Sequence, residues 1–356
     1  MEDYGIITDD SSIAPDQYTR KGERAADRAC QACSLFLSPP FISDLSSPFY
    51  EHHPADKMSL PQRFNLGIVG CGQMGTSILS GILNGEVKRR REDQPGWTVN
   101  HIFISVQSAS SVDRLRNLLS QHLPRVTIYQ SDNLATVQNS HVVILGCKPA
   151  QMHTILSGTG MQEALESKIL ISILPGMDTK STQDAILANG NPAEHPESQV
   201  HVVRAMPNIA AREGASITVV ASPARESDRD AVQVTRWLFN HVGKTQEIPE
   251  CQFDLIGSLA GCTSAMFTVA IDGLLDQCVA GGFKRSEGLQ VITQTLLGLA
   301  KLLEAGNHPA ALREEVSSPG GSTIQGLLEL ERQGVRSAFA SALGAAGERA
   351  RELGRK

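Results

Sequence analysis

The chain has 356 residues, 41% of them apolar but only 4% aromatic, which allows about two domains with aliphatic, alanine-rich cores. A formal charge of −6 argues against a general nucleic-acid or anionic-membrane binder. No apolar run approaches the ~20 residues of a membrane span, and the acidic opening Met1-Glu2-Asp3 is unlike a signal or transit peptide, so a cytoplasmic protein is expected.

Residues 1–62 carry mixed charge, Pro39-Pro40 and no sustained periodicity. They read as a disordered extension with at most a short helix over 20–35. A chain started at Met58 would lose nothing the fold needs. Cysteines 30, 33, 71, 147, 251, 262 and 278 are odd in number and scattered, and Cys30-x-x-Cys33 has no second ligand pair. Reduced thiols are expected, and no metal site. Then Leu66, Ile68 and Val69 form a buried strand, followed at once by Gly70-x-Gly72-x-x-Gly75. Ile78, Leu79, Ile82 and Leu83 come next at helical spacing. In a dinucleotide-binding turn the first glycine makes the bend, the second admits the pyrophosphate and the third packs helix on strand. The helix N-terminus, with Gln73, Met74 and Gly75, then offers free N–H groups to the anion. A glycine turn that binds nothing is the plainer reading; the order strand, turn, helix argues against it.

Lys88–Gly96 reads as a solvated basic loop, and His101–Val106 as the second strand. Rossmann units often place an acid at this strand's end to bond the ribose 2′-hydroxyl. Here Ser105-Val-Gln107-Ser108-Ala-Ser110-Ser111 carries none before Asp113. That row suits a 2′-phosphate, so NADPH is expected over NADH, with Arg114 either assisting or simply an exposed helix residue. Further strands are expected at 126–129, 141–145, 168–174, 200–206, 215–221 and 245–248, with a helix through Val232, Trp237 and Leu238. The alternation implies a Rossmann-type, doubly wound and largely parallel α/β sheet over 63–248. Asn133, Lys148, Pro149 and Asn208 follow strand ends, where such sheets bind ligands, and complete the expected cofactor set with Ser105 and Gln107.

From 249 to 356 the pattern is helices only. Phe267, Ile271, Leu274, Leu275 and Cys278 mark one stripe, and Leu289, Ile292, Leu296, Leu299 and Leu303 another, ended by Gly306 and Pro309. Two more helices are expected over 323–333 and 336–353. So much alanine- and leucine-rich helix is hard to cover within one chain, so an all-helical dimerisation domain is expected, giving a homodimer or higher homo-oligomer. Between these helices lies Val316-Ser-Ser-Pro-Gly-Gly-Ser-Thr-Ile324. Gly320 and Gly321 either form an anion nest for a carboxylate or merely precede a helix capped by Ser322 or Thr323.

These segments resemble the pyrroline-5-carboxylate reductase family over about 64–353. The similarity rests on Gly67–Gly75, Lys148-Pro149, Val203–Asn208, Arg212–Ala215, Thr295–Lys301 and Ser317–Thr323, in that order. It implies NAD(P)H-dependent reduction of a cyclic imine acid to proline in a dimer with interlocking helical halves. By the resemblance Thr323 is the catalytic hydroxyl, hydrogen-bonded to the imine nitrogen. Ser318, Gly320, Gly321 and Ser322 hold the substrate carboxylate, and Lys148, Pro149 and Asn208 border the nicotinamide. The chain departs from the family at Ala260-Gly-Cys-Thr-Ser-Ala-Met266, where the family usually has Ser-Gly-Ser-Gly-Pro-Ala-Tyr at the start of the long dimer helix. A pocket reshaped for a substituted, for example methylated, ring is one consequence. A non-catalytic NADP-binding homologue is another, with the intact SPGG turn against it. A hydroxy-acid dehydrogenase is disfavoured because Met266–Ile271 offers no lysine or asparagine.

Overall fold

The computed structural model describes residues 60–89, 96–188 and 200–354. All of them belong to one unit, Pro54–Lys356. The expectations for 1–59, including the helix over 20–35 and the Cys30/Cys33 pair, and for most of the basic loop at 88–96 lie outside the described residues.

Eight strands form one sheet: β1 (Arg63–Val69), β2 (Thr98–Val106), β3 (Val126–Gln130), β4 (Val142–Leu145), β5 (Ile169–Ser172), β6 (His201–Met206), β7 (Ser216–Ala221) and β8 (Gly243–Ile248). Their spatial order is β3-β2-β1-β4-β5-β6-β7-β8. Strand order therefore reverses between β1 and β4, which is where an open α/β sheet leaves a crevice beyond its strand ends. Every pair is parallel except β6 and β7, which meet antiparallel through Ala205↔Val220 and Met206↔Val219. The 207–215 connection is shorter than the dozen or more residues a parallel crossover needs. A largely parallel sheet is thus observed, with one reversal that the strand pattern did not predict.

Helices cover both faces. On one face Leu66, Ile68 and Ile144 pack against Ile78, Leu79 and Ile82 of α1 (Gln73–Arg89) and Leu115 of α2 (Ala109–Leu118). On the other, Val69, Val143 and Leu145 meet the short helices α3 (Asn133–Gln138), α4 (Met152–Leu156), α5 (Met161–Leu165) and α6 (Thr179–Leu187). Because both faces are buried, the central strands read as continuous apolar runs. Each fully buried Leu or Ile contributes about 1.5–3 kcal/mol. α7 (Arg229–Phe239) returns to the first face through Val234 and Leu238.

After β8 the chain is helical: α8 (Phe253–Ala280), α9 (Arg285–Glu304), α10 (Pro309–Glu315), α11 (Ser322–Arg332) and α12 (Val335–Leu353). Pro309 closes nothing by itself; it opens α10 at the first helical turn, where its missing N–H is harmless. Arg204 of β6 anchors the start of α8. Its buried guanidinium pairs with Glu250 at 2.6 Å and Asp254 at 2.8 Å and lies 4.2 Å from the Phe253 ring centroid. The helical stripes stay largely uncovered: Leu275 is buried, whereas Phe267 is 47%, Leu274 57% and Val269 75% exposed. Against the sequence expectation, Glu250–Ala280 is long and apolar enough, by length and composition, to cross a membrane. Its glycines, serines and threonines interrupt the leucines without adding charge, so no continuous run stands out.

Candidate functional site

The three glycines of the first turn each meet a different physical demand. Gly70 has φ +85°, and a Cβ there would lie 2.7 Å from the Cys147 nitrogen and 2.8 Å from the Gly146 carbonyl carbon. The turn after β1 therefore presses on the loop after β4, across the point where strand order reverses. Around Gly72 a Cβ would meet nothing within 4 Å, so the backbone there is open to a ligand. At Gly75 a Cβ would sit 3.1 Å from the Gly70 oxygen, which keeps α1 close to the turn. α1 begins at Gln73, and Met74 and Gly75 complete a first turn without acidic residues. Its N–H groups are available to an anion.

Beside this turn lies a cavity of about 480 Å³, within the usual range for small-molecule sites. Gly70, Ser105, Gln107 and Asn133 line it, four of the cofactor residues expected from sequence. The buried Ser105 hydroxyl donates to Asn133 Oδ1 at 2.7 Å, which fixes the amide so that its NH2 is left for another acceptor. Ser131, Cys147, Gln151 and Thr154 also line the cavity and were not expected. Ser131 follows β3 directly and Cys147 comes two residues after β4, so the strand-end rule could have found them. Thr154 comes from α4 and is brought in only by the fold. Burial pushes the thiols of Cys147 and Cys71 up to about 11. Both stay protonated near neutrality and pack rather than react.

No carboxylate lines the cavity among the described residues. The end of β2 presents Gln107 and then Ser108, which caps α2 by accepting from the Ser111 N–H. Gly72, Gln73, Met74 and Gly75 lie at the turn beside the lining. Lys148 and Pro149 open the three-ten turn Pro149–Gln151, whose Gln151 enters the lining while they do not. Asn208 is not in the lining either. Its NH2 donates to the Ala260 carbonyl at 3.1 Å and its Oδ1 accepts from the Ala210 N–H at 3.1 Å. The NH2 end ties the loop after β6 to α8, and the Oδ1 end caps the short turn Ile209–Glu213 within that loop.

The second cluster of expected residues is apart from this cavity. Gly320 has φ +69°, and Gly321 donates its N–H to the Ser318 carbonyl at 3.0 Å. Gly321 itself is the N-cap of α11, with no side-chain cap. Of the two alternatives, this excludes a Ser322 or Thr323 cap: both are already helical, so their hydroxyls are not consumed in capping. The first turn of α11 has no acid, and Ser318, Gly320, Ser322 and Thr323 are exposed. Together they present free N–H groups, hydroxyls and no negative charge. None of them lines the cavity of the same chain.

The departing segment also sits differently from expectation. α8 starts at Phe253, so Ala260–Met266 lies inside the helix rather than at its start. Thr263 turns its hydroxyl back to the Leu259 carbonyl.

Residues 250–353 match the family model for pyrroline-5-carboxylate reductase dimerisation, and residues 65–176 one described as NADP oxidoreductase, coenzyme F420-dependent. The chain is 34% identical to a pyrroline-5-carboxylate reductase of Lophium arboricola, over 82% of this chain and 93% of that one. It is 35% identical to a delta-1-pyrroline-5-carboxylate reductase of Curvularia clavata, over 80% and 89%. Among solved structures, pyrroline-5-carboxylate reductase of Coxiella burnetii matches with TM-score 0.64 and 27% identity, over 82% of this chain and 98% of that one. The Plasmodium falciparum pyrroline carboxylate reductase, solved with NADP bound, shares the fold at TM-score 0.66 and 23% identity, over 82% and 98%.

Proposed function

The chain belongs to the pyrroline-5-carboxylate reductase family, and we propose that it reduces 1-pyrroline-5-carboxylate to L-proline with NADPH, the last step of proline biosynthesis. It is an oxidoreductase using a nicotinamide dinucleotide. The observation that carries the substrate assignment is the Ser318–Thr323 turn, where free N–H groups and hydroxyls meet at a helix start without acid. Such a turn suits one carboxylate and one neutral hydrogen-bond donor.

The fit to the coenzyme rests on the open backbone at Gly72, the tight bend at Gly70 and a cavity free of carboxylates. Gly70–Gly75 would hold the pyrophosphate, and Ser105, Gln107 and Asn133 the adenosine side. When bound, the reduced nicotinamide supplies the hydride. Gly320, Ser318 and Ser322 hold the substrate carboxylate, with Gly321 closing the turn through its N–H to the Ser318 carbonyl. Thr323 donates to the imine nitrogen, which makes the ring carbon more electrophilic and needs no strong acid because the product amine is basic. Most of the acceleration comes from position and from a pre-oriented polar site.

Substrate and nicotinamide must come within about 3–3.5 Å of one another. Since the α11 turn does not line the cavity of its own chain, a homodimer in which a second copy supplies that turn completes the site. The exposed stripes of α8 and α9 support such an assembly.

Thr323→Ala tests the reading: turnover should fall about ten- to hundredfold, the worth of one charge-assisted hydrogen bond in the transition state. NADPH affinity should not change. Equal activity of wild type and variant would remove Thr323 from the mechanism. A second reading, a substituted pyrroline carboxylate as substrate, is favoured by the altered Ala260–Met266 segment. Side-by-side turnover decides: equal or better use of the unsubstituted ring rejects it.

A further inference from the structure

We propose that Arg114 is the residue by which this chain distinguishes a 2′-phosphorylated dinucleotide from an unphosphorylated one. The inference rests on the coenzyme part of the reading above and not on the identity of the imine. Arg114 stands on the outer face of α2, yet its guanidinium reaches the glycine turn: Nη2 donates to the Cys71 carbonyl at 2.8 Å and Nη1 to Thr76 Oγ1 at 3.0 Å. Both acceptors are neutral. Among the described residues no carboxylate is in ion-pair reach of it, and its neighbour Asp113 faces Arg116 at 4.0 Å. Two of five guanidinium donors are engaged, and the positive charge is not neutralised.

This charge sits where the ribose should come. A dinucleotide seated on a glycine turn places its adenosine ribose between that turn and the end of the second strand. Where an acid would bond a free 2′-hydroxyl, this chain has Gln107, which lines the cavity, and then a run of hydroxyls. Ser110 and Ser111 precede Arg114 by one helical turn and so share its face. Their hydroxyls lie 3.0 and 2.9 Å from that of Ser108. A 2′-phosphate entering here meets hydroxyl donors and a guanidinium that has no ionic partner among the described residues. The guanidinium exchanges neutral acceptors for charge-assisted, forked hydrogen bonds. A 2′-hydroxyl offers no charge for that exchange, so Arg114 then keeps its ties to Cys71 and Thr76.

Those ties give Arg114 a structural role as well, which loss of NADPH turnover alone would not separate from discrimination. The test is therefore calorimetric titration of the full-length protein with 2′,5′-ADP and 5′-AMP, for wild type and Arg114→Gln. Wild type should bind 2′,5′-ADP more tightly by about tenfold or more. Arg114→Gln should lose that preference while its affinity for 5′-AMP stays within about twofold. Should the glutamine variant fail to fold, Arg114→Lys is read instead; it keeps the charge but not the fork, and a preference reduced at least about threefold is expected. Parallel weakening of both nucleotides, or a preference untouched by the substitution, overturns the proposal. Absence of imine turnover would leave these titrations unaffected and would count only against the reductase reading.

Discussion

A methyl group added at Gly70 would strike the backbone of Gly146 and Cys147, whereas one added at Gly72 meets nothing within 4 Å. Gly70→Ala should therefore act on the fold: the left-handed backbone alone costs about 1–3 kcal/mol, a fall in Tm of several degrees. Gly72→Ala should leave the melting curve in place and weaken NADPH by about tenfold or more, because only the bound pyrophosphate needs that space. Thermal melts and NADPH titrations of the pair check this, and equal loss of stability in both contradicts it. Away from the site, Asp228 accepts from His201 at 2.9 Å and from Arg225 at 3.0 Å. Burial alone would raise its carboxyl; these hydrogen bonds and the Arg225 charge outweigh that and hold it below the usual range. A carboxyl depressed in the folded state stabilises above its unfolded pKa, and the gain disappears as pH falls through the folded one. Wild type should lose Tm below about pH 4, and Asp228→Asn should start lower at pH 7 with a shallower acid slope. Parallel slopes would contradict the assignment. The glycines were legible because their spacing is fixed by the ligand. The tie from Asn208 to α8 was not, since the Ala260 carbonyl that its NH2 meets lies 52 residues away and nothing local signals it.

The α11 start depends on a conformation rather than on a side chain. Gly320 holds φ +69°, so Gly320→Ala strains the turn proposed to hold the substrate carboxylate. Such strain is worth about 1–2 kcal/mol. KM for the imine acid should rise about tenfold while NADPH affinity is unchanged; a selective loss of NADPH affinity would instead tie this turn to the coenzyme. Element by element, strands and helices were readable where apolar spacing is strict: Ile78, Leu79, Ile82 and Leu83 are all buried, and 323–333 became α11 at Ser322–Arg332. What escaped were relations between elements. The reversal of β7 follows from the length of its connection to β6, which composition does not express. The start of α8 was missed because Glu250 and Asp254, charged residues in an apolar stretch, are held there by Arg204 from a strand 46 and 50 residues away.

At the scale of the whole molecule, the α11 turn does not line the cavity of its own chain, and the apolar faces of α8 and α9 are exposed. Val269, 75% exposed in the middle of α8, is a direct probe of that surface. Val269→Asp should shift the protein toward monomer in sedimentation and abolish turnover, while NADPH binding persists. A dimeric, active variant would move the interface elsewhere. Sequence patterning indicated that these faces need a cover, because one chain has too few residues to bury them. It also suggested no membrane-length apolar segment, and that reading failed for Glu250–Ala280, whose uncharged polar residues break the run while an 18-residue stretch of it keeps a mean hydropathy of 1.5. The most direct measurement is oxidation of NADPH by the purified protein with 1-pyrroline-5-carboxylate, with proline quantified in the same reaction. Proline formed in step with each NADPH consumed is the expected result. NADPH binding without proline, under conditions where Thr323→Ala behaves like wild type, would contradict the assignment.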